Sequence, residues 1–271
     1  MAARPITFLS DYGADDEFAG ACRAVIARVA PEARVVDLTH GVPRQDVRRG
    51  AIALVDTLPY APEGVHLAVV DPGVGTERRP VAVGVAAEDR VLVGPDNGLL
   101  WPAIEELGGP VEAVDLAGSR FRMEPVSATF HGRDLFAPVA AALALGASLA
   151  EAGEAIEPES LTRLELPAAR VVEDGLIATV LHLDGFGNAA LGARAEELGD
   201  ARLAPGETLA VGAGGSEHEV RFGHTFGDVA AGELVLYEDS SRRLALAVNG
   251  GSAADALGLR PGDEVVLTLR R

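Results

Sequence analysis

The first half of the sequence alternates between short apolar runs and helical patterns, and this alternation restricts the fold more than any other feature. Five apolar runs predict strands, and they cover residues 6–9, 35–38, 65–70, 81–85 and 91–93. Residues 46–58 predict a helix, and a turn at 94–98 leads into another that ends near Leu107. One further helix has an apolar face at helical spacing, which consists of Phe18, Cys22, Val25, Ile26 and Val29. Asp15 or Asp16 can cap that helix.

The second half has a different pattern. Residues 151–167 are acidic, contain Pro158 and Pro167, and are interpreted as a linker. Short strands separated by glycine turns follow, at 177–183, 208–211, 219–222, 234–237, 244–248 and 264–269. The sequence therefore predicts an α/β protein. A mostly parallel α/β sheet domain spans residues 1–160, and a smaller β-barrel-like domain spans residues 168–271.

Composition excludes several functions. The 271 residues carry a formal net charge of −18 and contain no lysine, which excludes a Schiff-base lysine, a pyridoxal-phosphate anchor and a phosphate-loop lysine. An acidic surface repels a phosphate backbone, so we expect no nucleic-acid partner. Cys22 is the only cysteine, which excludes an internal disulfide and a multi-thiolate metal site. Neither a signal peptide nor a membrane-spanning run is visible, so we expect a cytoplasmic protein without a membrane partner.

Two aspartates follow predicted parallel strands, at the sheet edge where α/β proteins bind ligands. Asp11 precedes a glycine turn, and its carboxylate is equally suited to accept ribose hydroxyls or to cap the next helix. Asp71 begins a loop in which Gly73 and Gly75 permit unusual backbone angles and Arg78 can fold back toward the carboxylate. Alone, such an Asp–Arg pair is more often structural than catalytic.

His131 changes the balance, because it lies at a junction between a loop and a helix that starts near Asp134. The other histidines occur singly, and we expect them to be structural or exposed. Asp11, Asp71 and His131 are suitable metal ligands, but Arg78 would oppose a cation and no clustered motif supports a site, so we expect no metal. The sequence has no Gly-x-Ser-x-Gly elbow for a serine nucleophile, and no Gly-x-Gly-x-x-Gly fingerprint follows the first strand.

Five motifs, in this order, resemble those of the S-adenosyl-L-methionine hydroxide adenosyltransferases, which are hydrolases related to the fluorinating and chlorinating enzymes. They lie at residues 10–13, 71–76, 95–100, 129–134 and 184–188 and extend the resemblance over essentially the whole chain. The resemblance implies an N-terminal α/β domain and a C-terminal barrel-like domain. It also implies a homotrimer, with each site between the N-terminal domain of one subunit and the C-terminal domain of its neighbour.

The reaction implied by the resemblance converts S-adenosyl-L-methionine and water into adenosine and L-methionine, with a small-molecule substrate and no cofactor. Asp71, Arg78 and His131 match the set around the attacking water, whereas halogenating relatives have other residues there. The substrate contacts implied by the resemblance are Asp11 for the ribose, Phe186 and Asn188 for adenine, Asp184 for the methionine amine, and Ser240, Ser241, Asn249 and Gly250 along the same site. Ser241 replaces an arginine of the halogenating enzymes. A halogenase and a non-catalytic adenosine or S-adenosylmethionine sensor remain the alternatives.

Overall fold

The computed structural model describes residues 3–87, 89–173, 175–200 and 204–269. The chain forms two compact units, Met1–Glu165 and Leu166–Arg271. Both predicted folds are confirmed: the first unit is an α/β sheet and the second a closed β-barrel. Among the described residues, no helix is both long enough and apolar enough to cross a membrane.

The first unit is built on one seven-stranded sheet of order β2-β1-β3-β5-β4-β6-β7. Its strands are β1 (Ile6–Ser10), β2 (Val35–Thr39), β3 (Val65–Val69), β4 (Pro80–Val85), β5 (Val91–Pro95), β6 (Pro110–Asp115) and β7 (Glu154–Ile156). The pairs β2–β1, β1–β3 and β3–β5 are parallel, as predicted. The remaining three pairs are antiparallel, so the parallel arrangement covers only one half of the sheet.

Helices cover both faces of this sheet. They are α1 (Phe18–Val29), α2 (Val47–Thr57), α3 (Trp101–Glu106), α4 (Ala137–Ala144) and α5 (Leu149–Ala152), together with 3-10 turns at Leu58–Tyr60 and Pro158–Ser160 and a π-helical turn at Gly132–Phe136. Successive strand residues point to opposite faces. Phe8 therefore packs with α1 and α4, whereas Leu9 packs with α2 and α3.

The start of α1 differs from the prediction. Glu17 is its N-cap residue and makes no side-chain capping bond, so the expected cap by Asp15 or Asp16 is wrong. The predicted apolar face is confirmed at its centre, where Cys22 is buried, and burial raises the pKa of its thiol to about 12. Phe18 and Val29, at the ends of the helix, are more than one third exposed.

Residues 151–167 are not a linker over most of their length. β7 pairs with β6 in the sheet, and the Thr162 amide donates to the Asp96 carboxylate at 2.7 Å. The acidic composition did not reveal this strand, because β7 is held by its pairing with β6, which lies far from it in sequence.

The second unit is a barrel in which seven strands close on themselves in the order β10-β14-β13-β12-β11-β15-β9, with β8 added to β9. Its strands are β8 (Arg170–Val172), β9 (Gly175–Leu183), β10 (Ala189–Arg194), β11 (Thr208–Ala213), β12 (Ser216–Phe222), β13 (Leu234–Glu238), β14 (Arg243–Val248) and β15 (Glu264–Leu269). Helices α6 (Ala195–Asp200) and α7 (Ala253–Leu257) and a 3-10 turn at Phe226–Asp228 complete it. β8 and β10 had no counterpart among the predicted strands.

Candidate active site

The carboxyl ends of three neighbouring parallel strands provide the first group of site residues. Asp11 follows β1, Asp71 follows β3 after one further residue, and Asp96 follows β5 directly. Ser10 is paired with Val69 in the β1–β3 register, which brings the exits of these two strands side by side. The sheet therefore places these aspartates along one edge, where open α/β sheets bind ligands.

A compact turn then directs Arg78 back to Asp71. The Thr76 hydroxyl donates to the Gly73 carbonyl at 2.6 Å, which closes the turn. Gly75 has a φ of +77°, and a Cβ added to it would lie 2.4 Å from the Ala128 carbonyl oxygen. Only glycine fits here, because the backbone angle and the close approach of Ala128 both exclude a side chain.

Asp71, Arg78 and His131 are in direct contact, as expected from the sequence. Arg78 Nε donates to Asp71 Oδ1 at 3.0 Å, and Arg78 Nη2 donates to Asp71 Oδ2. The side chains of this ion pair are only 6% and 7% exposed. Arg78 Nη2 also lies 3.3 Å from His131 Nδ1.

This contact defines the state of His131. Burial and the neighbouring Arg78 charge lower the pKa of the imidazole, so the ring is neutral at pH 7. A guanidinium has only donors, so Nδ1 accepts from Arg78 and the ring proton lies on Nε2. Burial also raises the pKa of the Asp71 carboxyl, and the Arg78 guanidinium opposes that rise.

One donor of Arg78 is not satisfied by the protein. Nη1 is buried and has no hydrogen-bond partner among the residues that the structure describes. Buried polar groups nearly always have a partner, so such a donor is a candidate contact for a bound molecule. The guanidinium carbon also lies 5.5 Å from the centre of the Phe136 ring, which packs on this side chain.

Tyr12 and Asp134 hold the turn that carries His131, and sequence reasoning assigned neither residue a role. A Cβ added to Gly132 would lie only 2.0 Å from the Tyr12 hydroxyl oxygen, so the tyrosine packs directly on this glycine. The Tyr12 ring also meets the Phe130 ring edge to face. Burial raises the pKa of Tyr12, which keeps the phenol neutral. Burial tends to raise the pKa of the Asp134 carboxyl, but hydrogen bonds from Arg133 and from the Ser127 amide outweigh this effect and lower it. The π-helical turn that follows His131 is a feature often found at functional sites.

Asp11 does not cap α1, which resolves one alternative left by the sequence. Its Oδ2 accepts from the Gln45 amide at 2.8 Å, and its side chain lies at the same sheet edge as Asp71.

His66 is one of the histidines expected to be structural. It is fully buried, accepts from Arg90 and contacts Thr7, and burial lowers its pKa to about 3. In the described part of the chain, no three His, Cys, Asp or Glu side chains are grouped so that they could hold a metal ion.

The remaining predicted residues lie in the barrel. Asp184 accepts from the amides of Phe186 and Asn188, both at 2.9 Å, and from the Asn188 side chain at 2.8 Å. Phe186 is 83% exposed, whereas Asn188 is buried. The turn is in contact with the segment after β14, because a Cβ on Gly187 would lie 2.3 Å from Ser252 Oγ.

The other four barrel residues lie at the two ends of β14. Asn249 and Gly250 follow the strand near the Asp184 turn, and the Asn249 side chain donates to the Val229 carbonyl at 2.9 Å. Ser240 and Ser241 precede the strand, and the Ser241 amide donates to Asp239 at 2.8 Å. Strand β14 itself is about 20 Å long, at ~3.3 Å per residue, so the two pairs lie at opposite ends of it.

Tyr237 on β13 lies between these two ends and was missed by sequence reasoning. Burial and the neighbouring Asp239 and Asp184 carboxylates raise the pKa of its phenol to about 12. Its ring packs against Phe226 with 4.9 Å between the ring centres. The barrel therefore presents an aromatic pair of which Tyr237 lies close enough to Asp184 for that carboxylate to affect its pKa.

Comparison with known proteins extends these observations over the whole chain. The family model of the SAM hydroxide adenosyltransferase N-terminal domain matches residues 6–153, and that of the C-terminal domain matches residues 178–266. An (R)-S-adenosyl-L-methionine hydrolase from Salinispora tropica is 52% identical over 99% of both chains. One from Thermus thermophilus is 44% identical over 97% of this chain and 99% of its own.

More distant relatives include a fluorinase from an Actinoplanes species, which is 28% identical over 97% of both chains. A crystal structure of an uncharacterized conserved protein from Thermotoga maritima superimposes with a TM-score of 0.91, at 34% identity, over 98% of this chain and 100% of that one. The two domain models match in order along the chain, and the two hydrolases are far more similar to this chain than the fluorinase is. The chain belongs to the SAM hydroxide adenosyltransferase family.

Proposed function

We propose that this protein hydrolyses the R sulfonium epimer of S-adenosyl-L-methionine to adenosine and L-methionine. The preference for hydrolysis over halogenation is supported by the identities of 52% and 44% to hydrolases, against 28% to a fluorinase. The R epimer is the one that the names of the hydrolases specify. The observation that carries the chemistry is the buried Asp71–Arg78 ion pair, which contacts His131 and has an unsatisfied Arg78 Nη1.

The sulfonium is a neutral leaving group once the carbon–sulfur bond breaks, so the reaction needs no acid to protonate it. It needs an oxygen nucleophile held in line with the 5′ carbon. In the balanced reaction, water adds its oxygen to the 5′ carbon, the sulfur keeps the bonding electron pair as a thioether, and one proton is released.

Arg78 and His131 are suited to stabilise the negative form of that nucleophile. With Nδ1 occupied by Arg78, neutral His131 offers Nε2–H as a donor, and Arg78 offers Nη1–H. Two donors and one positive charge lower the pKa of a water molecule placed between them. In this geometry Asp71 holds and orients Arg78 and does not take up the proton, because both of its oxygens accept from the guanidinium.

We further propose a homotrimer in which Asp71, Arg78, His131 and Asp11 of one subunit meet the barrel residues of a neighbour. Phe186 supports this arrangement, because a ring that is 83% exposed can contact a ligand held between two subunits. The reaction as written uses no metal and no cofactor.

The test uses the purified protein with the separated R and S epimers in a chelator and without halide. We expect adenosine and methionine from the R epimer, one proton released per turnover, and water-derived ¹⁸O in the adenosine 5′-hydroxyl. A 5′-halo product in the presence of chloride or fluoride would identify a halogenase. Tight binding without any product would identify a sensor, and equal rates with both epimers would remove the stereochemical part of the proposal.

A further inference from the structure

Arg78 and Arg79 are adjacent in sequence but are held by different partners. Arg78 turns to Asp71, whereas Arg79 donates through Nε and Nη2 to Asp96 Oδ2 at 3.0 and 2.6 Å. The Asp96 amide also donates to the Arg79 carbonyl at 2.9 Å. The Asp96 side chain is only 5% exposed. One buried residue therefore fixes both the main chain and the side chain of Arg79.

Asn97 holds the other end of the same loop. Its Nδ2 donates to the Val70 carbonyl at 2.9 Å, and its Oδ1 accepts from the Leu99 amide at 3.1 Å. Val70 is fully buried and directly precedes Asp71. The side chain of Asn97 therefore links the exit of β5 to the exit of β3.

The segment first interpreted as a linker encloses these contacts. The Thr162 amide donates to Asp96 Oδ1 at 2.7 Å, and Arg79 Nη1 donates to Ser160 Oγ at 3.0 Å. A Cβ added to Gly98 would lie 2.8 Å from Leu164 Cβ, so the backbone packs tightly here. Both oxygens of Asp96 are thus engaged within the first unit, at Arg79 and at Thr162.

We propose that Asp96 and Asn97 are positioning residues for the reaction, because they hold the two residues that flank the Asp71–Arg78 loop. Val70 and Arg79 form the base of this loop, whose glycines make its backbone intrinsically mobile. The contact between Arg78 and His131 depends on where the loop ends are held. Within the described part of the chain, the side-chain hydrogen bonds of both positioning residues go to Val70, Arg79, Leu99 and Thr162 and not to the Asp71–Arg78–His131 set, so these residues act through Val70 and Arg79. This role rests on the proposed hydrolysis.

Two substitutions test the role at opposite ends of the loop. Asn97→Asp replaces the donor that faces the Val70 carbonyl with an oxygen, and Asp96→Asn weakens the hold on Arg79. A misplacement of about 1 Å at a reacting group costs on the order of a hundredfold in rate, so we expect kcat to fall by about 10- to 100-fold. KM should change little.

The pH profile distinguishes positioning from a general loss of structure. Arg78 is one of the causes that lower the pKa of His131, so its displacement lets that pKa return toward its ordinary value. A protonated His131 could not accept from Arg78 at Nδ1, so the arrangement proposed for the reaction needs the neutral ring. The acid limb of the kcat profile should therefore move to higher pH in both variants. A smaller folded fraction would lower kcat at every pH without moving this limb.

Glu151→Gln is the matched control in the same unit. Glu151 also holds an arginine and a backbone amide: Arg120 Nη2 donates to it at 2.6 Å and the Ser148 amide at 3.0 Å. It lies on α5, which packs on β4 at Gly84, away from Arg79. We expect this variant to keep both kcat and the wild-type pH profile.

All proteins are assayed with the R epimer at a temperature at which circular dichroism shows each to be folded. A fall in kcat with a shifted acid limb in both positioning variants, and not in the control, supports the inference. An unshifted limb, or the same loss in Glu151→Gln, overturns it. If the wild type forms no adenosine, the proposed hydrolysis itself fails, which is a distinguishable result.

Discussion

Asp71 and Asp184 both follow a strand and both use their two carboxylate oxygens, but they do so in different ways. Asp71 is buried and bound to Arg78, and the set is completed by His131 from a segment about 50 residues further along the chain. Asp184 is exposed, and among the described residues it accepts from its own turn, from residues two and four positions later. One site is built by tertiary packing and the other by local backbone geometry.

The difference implies a division of labour between the two units. Buried charges that face each other gain strength from the low local dielectric, which suits them to stabilise charge that develops during a reaction. A turn held by its own hydrogen bonds keeps its shape without help from the rest of the fold, which suits a surface that receives a ligand. We therefore expect changes in the Asp71–Arg78–His131 set to lower kcat and changes in the Asp184 turn to raise KM.

Arg78→Met is expected to have the largest effect. It removes the charge beside the nucleophile, and removing a charged stabilising donor costs about 100- to 1000-fold in kcat. It also leaves the buried Asp71 without its partner, which costs about 3–5 kcal/mol of stability at pH 7. Steady-state kinetics and denaturant unfolding measure the two losses separately.

The pH dependence of this loss has a definite sign. Burial already raises the pKa of Asp71, and without Arg78 the folded-state pKa rises further above the unfolded value. A raised folded-state pKa gives more stability at low pH and less as pH rises through it. The stability of Arg78→Met should thus approach that of wild type as pH falls. The double variant Asp71→Asn with Arg78→Met should recover the lost stability already at pH 7, but it should not recover activity. If the double variant is as unstable as the single one, the ion pair is not the cause.

Asp184→Ala should have a smaller effect, and on KM instead of kcat. The turn loses three hydrogen bonds, but it is exposed, so we expect a loss of only about 1 kcal/mol. KM should rise while kcat at saturating substrate stays near that of wild type. Asp263→Ala is the control, because its carboxylate also caps an exposed turn of the barrel, by accepting from the Arg260 amide at 2.7 Å. A fall in kcat with unchanged KM would contradict the assignment of the barrel to binding.

The same contrast explains what the sequence could predict. The helix face around Cys22 and the contact between Asp71 and Arg78 depend on local spacing and on glycines, and both were predicted. Strand β10, with the sequence Ala-Ala-Leu-Gly-Ala-Arg, lacks the β-branched and aromatic residues that favour strands and is held by its pairing with β9 and β14. The connection between β4 and β5 is too short for a parallel crossover, which should have predicted the antiparallel half of the sheet.

Site residues held by distant partners were harder to predict. Tyr12 acts on Gly132, more than a hundred residues away in sequence, and the motif containing Asn97 gave no sign that its target is the Val70 carbonyl. Asp11 had two equally good local interpretations, and the bond from the Gln45 amide that replaces helix capping is not local. Local patterns singled out the residues of the proposed reacting set, whereas the residues proposed to position it became evident only from packing.

Phe186→Ala should have the smallest effect and tests the barrel side of the comparison most directly. The ring is 83% exposed, so its removal should leave the melting temperature of the protein unchanged. If the ring packs on a bound adenine, KM should rise with kcat unchanged, by about 10-fold for the ~1.4 kcal/mol that an aromatic contact of this kind supplies. Tyr60→Ala, which removes a ring 77% exposed in the first unit, should leave KM unchanged. Sedimentation of both variants separates the two uses of Phe186. Weakening of the proposed trimer assigns the ring to a subunit contact, whereas unchanged assembly with a raised KM assigns it to the ligand, as the self-contained Asp184 turn leads us to expect.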